Sequence, residues 1–273
     1  MLARTVIPLE QTPVLRVPEV GCSVALRRSS RAKRFSLKVS HTERAAILTL
    51  PNRGRVEDAS AFLARHADWL RKQLARLPDP VPFADGAVIP LRGDFHCLKF
   101  MGAQRNCGVV SIQQAGQQLP GIPAFTAQPN WRSQVCEGYD ISLPQICISG
   151  ETDHAPRRLS DWLRAEVRRD IAASVAKHAE RLGCAPKRIA VRDQATRWGS
   201  CSTSGTLSFS WRLIFAPPFV LDYVAAHEVA HLREMNHGPR FWRLVKDSVP
   251  LMQKARIWLK AHGAELHRFG SDY

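Results

Sequence analysis

Between Cys22 and Pro51 apolar and polar residues tend to alternate, with Phe35, Leu37 and Val39 and then Ile47 and Thr49 spaced by two, which predicts paired strands in a β-hairpin. The period then lengthens: over residues 56–77, Ala59, Phe62, Leu63, His66, Leu70, Leu74 and Leu77 fall on one stripe that Pro78 ends, predicting an amphipathic helix. From Pro80 to Pro156 short apolar pieces (Val88–Leu91, Cys97–Phe100, Ile146–Ile148) stand among Gly, Pro and Gln, as expected of short strands and loops. Within that stretch Gln113–Glu137 is polar and Pro-bearing enough to be expected as a mobile insertion.

The clearest helical pattern follows. Leu159, Leu163, Val167, Ile171, Val175, Ala179 and Leu182 recur every three or four positions, and Gly183 supplies a stop. Residues 188–192 and 206–215 read as strands, the second with Leu207, Phe209, Trp211, Leu213 and Phe215 on one face and Ser208, Ser210 and Arg212 on the other, with Ser204-Gly205 as a turn. Pro217 and Pro218 end that strand and suit the start of a helix over 219–235, after which 239–248 and 251–262 read as two further helices. These elements predict an α+β chain: a strand-rich region over 1–155 containing the 56–77 helix, then a catalytic domain over 156–273.

The 219–235 helix carries the chemistry. In the HExxH segment, His227 and His231 are four apart, so on a helix they differ by about 40° in direction and about 6 Å in height and can reach one ion. Glu228 points aside from that pair, where its carboxylate can take a proton from water activated by the metal, as a general base. A catalytic zinc needs a third protein ligand and an open position. Asn236, Gly238 and Pro239 around His237 predict that the helix ends near Met235 and that the chain turns back, making His237 that ligand. A closed structural site would use four ligands, usually including cysteine, and would not need the glutamate. Asp222 and Tyr223, a turn before the ligands, are candidates to support them, although an acid near a helix N-terminus also simply favours the dipole.

Charge widens the range of partners. With 39 Lys and Arg against 24 Asp and Glu the formal charge is +15, so the surface field attracts anions, and nucleotide substrates or weak nucleic-acid contact become conceivable. The densest basic cluster, Arg27, Arg28, Arg31, Lys33, Arg34 and Lys38, holds only Phe35 as an aromatic, and a solvated face explains it as well. Seven scattered cysteines, none in a CxxC pair, fit a reducing cytoplasm, and no apolar run is long enough to span a membrane.

Four segments together, RWGSCS from Arg197, WRLIFAPP from Trp211, DYVAAHEVAHL from Asp222 and NHGPRFW from Asn236, resemble the YgjP-like family of metal-dependent hydrolases. The likeness is densest over 188–258 and extends to the basic hairpin and first helix, but not to 113–137. It implies a zincin-like metallopeptidase domain related to the SprT and Wss-type proteases, with zinc on His227, His231 and His237 and Glu228 as base. The substrate it implies is a peptide or protein; the alternative is a nucleoside triphosphate, since some relatives are described as UTP pyrophosphatases. Arg197, Trp198, Ser200, Arg212 and Arg240 are the candidate substrate-binding residues, whereas Cys201 has no activating partner that would make it a nucleophile. An extended peptide pairing with the strand around Leu207–Arg212 would present its scissile bond without demanding a sequence.

Overall fold

The computed structural model describes residues 13–18, 20–40, 45–102, 109–114, 143–194 and 196–270. The chain divides into two compact units, Met1–Asp79 and Pro80–Tyr273. The pattern placed the boundary at 155/156, but the strands of 80–155 share a core with the later helices: Ile89, Leu98, Ile146 and Ile148 lie in one buried cluster with Leu159, Leu163 and Val167.

In the first unit, β1 (Val14–Val17), β2 (Cys22–Ser29), β3 (Ser36–Ser40) and β4 (Ala45–Pro51) form a sheet in the order β1-β2-β4-β3. β3 and β4 pair antiparallel as the hairpin reading expects, but β2 pairs with β4 in parallel, so the segment is not one simple hairpin. The expected 56–77 helix is two, α1 (Val56–Arg65) and α2 (Ala67–Leu74). The break falls at His66, whose backbone leaves the helical region (φ −109°, ψ 12°) while its ring stacks on Phe62 and shares a hydrogen bond with the Phe62 carbonyl at 2.8 Å. Ala59, Leu63 and Leu70 from these helices bury against Val24, Leu26, Leu48 and Leu50. Arg28, at the end of β2, donates to the carbonyls of Asn52 and Gly54, both at 2.9 Å, so one member of the basic cluster serves the fold.

The second unit opens with β5 (Val88–Leu91), β6 (Asp94–Gly102), β7 (Val110–Gln113) and β8 (Gln145–Ser149) in the order β5-β6-β8-β7. Residues 115–137 of the expected insertion lie outside the described residues, while Gln113 closes β7. Helix α3 (Ala155–Arg181) buries Leu159, Leu163, Val167, Ile171 and Val175, and Gly183 at φ 58° ends it in the left-handed conformation that glycine adopts without strain.

A second, three-stranded sheet joins β9 (Arg188–Arg192), β10 (Gly199–Cys201) and β11 (Thr206–Ser210) in the order β10-β11-β9. The strand expected over 206–215 stops at Ser210, and Trp211–Phe215 is a 3-10 turn. All five of those residues are buried, which one face of a strand cannot achieve and a tight turn can. Three helices complete the unit, α4 (Pro218–Ala230), α5 (Pro239–Ser248) and α6 (Met252–His262), followed by a 3-10 segment over Gly263–Arg268. Among the described residues no helix is long and apolar enough to cross a membrane.

Candidate metal centre and active site

Helix α4 is buried on most sides through Val220, Leu221, Val224, Ala225, Ala226, Val229 and Ala230, so the side chains it presents are held by a packed frame. It ends at Ala230, earlier than the pattern suggests, with His231 still helical (φ −64°, ψ −19°) as its C-cap. The early end lets the chain turn: Leu232 N–H donates to Val229 O at 3.0 Å, Glu234 N–H to Ala230 O at 2.9 Å and Gly238 N–H to Asn236 O at 2.7 Å. Arg233 anchors the turn from outside, donating to the carbonyls of Leu182 and Gly183 at the end of α3, where a cation also complements the helix dipole.

This turn brings His237 back to the pair on α4. The potential ligand nitrogens of His227, His231 and His237 all lie within 4.8 Å of one another, and His227 Nε2 stands 3.1 Å from His237 Nε2. Two nitrogens bound at 2.0–2.1 Å to one tetrahedral ion are about 3.3 Å apart, so the spacing fits a shared metal. The Nδ1 of His231 lies 3.1 Å from the Glu234 carbonyl; donating there fixes the tautomer and leaves Nε2 as the ligand. Burial, with His231, His237 and Arg256 nearby, lowers the pKa of His227 to about 4, and burial also lowers that of His231. Both are therefore neutral near pH 7, the form that coordinates a metal.

Phe241 backs the cluster. It is fully buried on α5, with its ring 4.8, 4.5 and 4.6 Å from those of His227, His231 and His237, an apolar wall that holds all three imidazoles. Trp242 lies 5.9 Å from the His227 ring and 5.7 Å from that of His237, and Tyr223 meets His227 edge-on at 5.9 Å. Sequence reasoning missed Phe241 and Trp242, although both follow the third histidine within one turn of a new helix.

Glu228 is only 5% exposed. Burial raises its pKa to about 7, against the opposing charge of Arg197. Its carboxylate faces β10, where Gly199 leaves the room it occupies: a β-carbon there would lie 2.5 Å from Oε1, 2.6 Å from Cγ and 2.8 Å from Cδ. The missing side chain of Gly199 is therefore what lets the Glu228 side chain pack this closely against the strand.

The other expected site residues divide. Ser200 sits on β10 beside Gly199, paired with Ser208, and Trp198 stacks on His267 at 5.1 Å. Arg240 is exposed on the first turn of α5. Arg212 is buried and holds the fold: its guanidinium donates to both carboxylate oxygens of Asp193 (2.9 and 3.2 Å) and to the carbonyls of Leu266, His267 and Phe269 (3.4, 3.3 and 2.7 Å). Asp222 accepts hydrogen bonds from Ser174 and His178 on α3 at 2.7 and 2.8 Å and from Lys177 at 3.2 Å, so it joins α4 to α3 and is not merely a favourable charge at a helix end.

A model of the YgjP-like family, described as a metallopeptidase domain, matches residues 33–262. None of the curated proteins matches the chain. Two solved structures are similar over part of it. The metallopeptidase zymogen of Pyrococcus abyssi abylysin is 20% identical, covers 33% of this chain and 93% of its own, and has a TM-score of 0.29. The metallopeptidase zymogen of Methanocaldococcus jannaschii jannalysin is also 20% identical, covers 34% of this chain and 88% of its own, and has a TM-score of 0.30.

Proposed function

Because the chain belongs to the YgjP-like metallopeptidase family, we propose that it is a zinc-dependent peptidase in which His227, His231 and His237 hold the ion and Glu228 is the general base. The observation that carries this reading is the convergence of the three imidazoles, with their potential ligand atoms within 4.8 Å, beside a buried glutamate. Held by these three histidines, zinc would supply a Lewis acid for the scissile carbonyl and would lower the pKa of the attacking water. Glu228 takes the proton from that water and passes it to the leaving amide nitrogen, so one carboxyl group serves as base and then as acid. Phe241 and the packed face of α4 keep the imidazoles from turning away as charge develops.

The substrate enters as an extended strand. β11 is paired on both sides, by β10 and β9, so the segment from Leu207 cannot accept a peptide in the way its sequence pattern suggests. β10 is an edge strand of the same sheet and lies against Glu228 through Gly199. Main-chain hydrogen bonds to the outer edge of β10, around Ser200, place the scissile carbonyl without reading side chains.

The test is parallel turnover of a peptide library and a nucleotide panel by the zinc-loaded protein. Peptides are cleaved, Glu228→Gln lowers kcat by at least about 100-fold while zinc stoichiometry stays at one, and His231→Ala loses both zinc and activity. Pyrophosphate release from nucleoside triphosphates with no peptide cleaved, or full peptidase activity in Glu228→Gln, overturns the reading.

A further inference from the structure

The arginines that hold the second unit together are engaged by acceptors. Arg92 pairs with Glu166 and Asp170, Arg212 with Asp193 and three carbonyls, and Arg233 with the end of α3. Two arginines at the active site differ. Arg256, on α6, has its guanidinium carbon 5.0 Å from the centre of the Trp242 ring, and that ring rests against His227 and His237. Arg197 lies two residues before Gly199, and its charge acts on Glu228. Among the described residues, neither forms an ion pair with a carboxylate.

The support under Arg256 matters. An aromatic face attracts a guanidinium without neutralising it, so Trp242 fixes where the cation stands and leaves its charge for another anion. That charge reaches the ligand His227 and the buried Tyr223. A dication on the three imidazoles would bring its own positive charge, and the two arginines add to the local field around Glu228. Such a cleft favours a substrate that brings negative charge of its own.

We propose that Arg256, assisted by Arg197, selects peptides with an acidic side chain near the scissile bond, making this a peptidase for acidic segments. The proposal rests on the peptidase reading above. It makes Arg256 a specificity-determining residue, acting on which peptide binds and leaving the proton transfers to Glu228. Both arginines are exposed, so screening limits each contact to roughly a fivefold preference at moderate salt.

The experiment uses fluorescein-labelled hexapeptides that differ only in Glu, Gln or Lys at one position, scanned along the peptide. Binding is read by fluorescence anisotropy on the Glu228→Gln protein, with and without zinc, and turnover by kcat and KM on the otherwise native protein. Glu peptides bind about fivefold more tightly than Gln peptides at one or two positions, the preference weakens with salt, and Arg256→Glu reverses it toward Lys through KM with kcat little changed. Arg197→Glu reduces the preference without reversing it. An unchanged Glu, Gln and Lys ranking in Arg256→Glu overturns the assignment. If Glu peptides bind selectively and Arg256→Glu reverses that binding, yet no peptide is cut, the acidic-segment site stands and the peptidase reading falls. Hydrolysis of nucleoside triphosphates with no selective peptide binding overturns both.

Discussion

Gly199→Ala should disable the enzyme without touching a ligand. The added methyl would lie 2.5 Å from Oε1 of Glu228, about 0.9 Å inside the 3.4 Å at which ordinary contact begins. Swinging the carboxylate alone cannot relieve it, because Cγ and Cδ would also be at 2.6 and 2.8 Å. The Glu228 stem must leave its rotamer, or β10 must move away from α4. Forcing a methyl into a packed site costs about 1–3 kcal/mol, offset by about 0.5–1 kcal/mol from replacing a flexible glycine in a strand. The net loss of stability is therefore about 0–2.5 kcal/mol, too little to unfold the protein. Displacing a catalytic group by about 1 Å costs on the order of 100-fold in rate, and this is where the substitution should act. The measurements are kcat and KM on a cleaved peptide, zinc content after dialysis, and thermal denaturation. The expected result is kcat down about 100-fold with KM and zinc content near native and an unfolding midpoint lowered by less than about 10 °C. A kcat within about threefold of native, at full zinc content, refutes the claim that the absent side chain keeps Glu228 in place.

Two other residues separate structural from catalytic roles. Burial alone would raise the Asp222 carboxyl, but hydrogen bonds from His178, Ser174 and Lys177 outweigh it and hold the group well below the usual carboxylate range. A lowered folded-state value gives stability that is complete above the unfolded value of about 3.9 and is lost as pH falls toward the folded one, so Asp222→Asn should cost about 2 kcal/mol at neutral pH and flatten the loss below about pH 4. Denaturant titrations across that range check it, and parallel curves for the two proteins would refute it. Arg212→Lys keeps the charge but cannot span Asp193 and three carbonyls, and should cost about 3–5 kcal/mol. A substrate-binding arginine would instead raise KM at an unchanged unfolding midpoint.

What was legible in the sequence is what local periodicity controls. The stripe from Leu159 to Leu182 and the four-residue step between His227 and His231 follow from helix geometry alone, and Gly238-Pro239 marks where the chain must turn to return His237. Pairing is not local: alternation around Leu26 and Leu48 marks strands but does not say that β2 and β4 run in parallel. Nor does it reveal where a strand stops: alternation puts Arg212 on the same face as Ser208 and Ser210, but the strand ends at Ser210. The region 80–155 is rich in Gly, Pro and Gln, yet Ile89, Leu98, Ile146 and Ile148 fill the core beneath α3. Arg256 reaches the site only because α6 packs against α4 and so meets Trp242, a long-range event that leaves no periodic mark.

Arg212 nonetheless bears on the chemistry through the fold. β10 has only three residues, too few to hold its own position, and it is placed by what surrounds Trp198. The Trp198 carbonyl accepts from Ser210 N–H at 2.9 Å, its ring stacks on His267, and a β-carbon at Gly263 would stand only 3.3 Å from that ring. His267 belongs to the C-terminal segment whose carbonyls Arg212 binds. A contiguous set of contacts therefore runs from the buried guanidinium through His267 and Trp198 to Gly199 and the space that Glu228 fills. The residue read from sequence as a substrate ligand acts instead as a clamp on the strand against which Glu228 packs, and among the described residues Arg197 and Arg256 stand near the histidine cluster without an ion pair to a carboxylate.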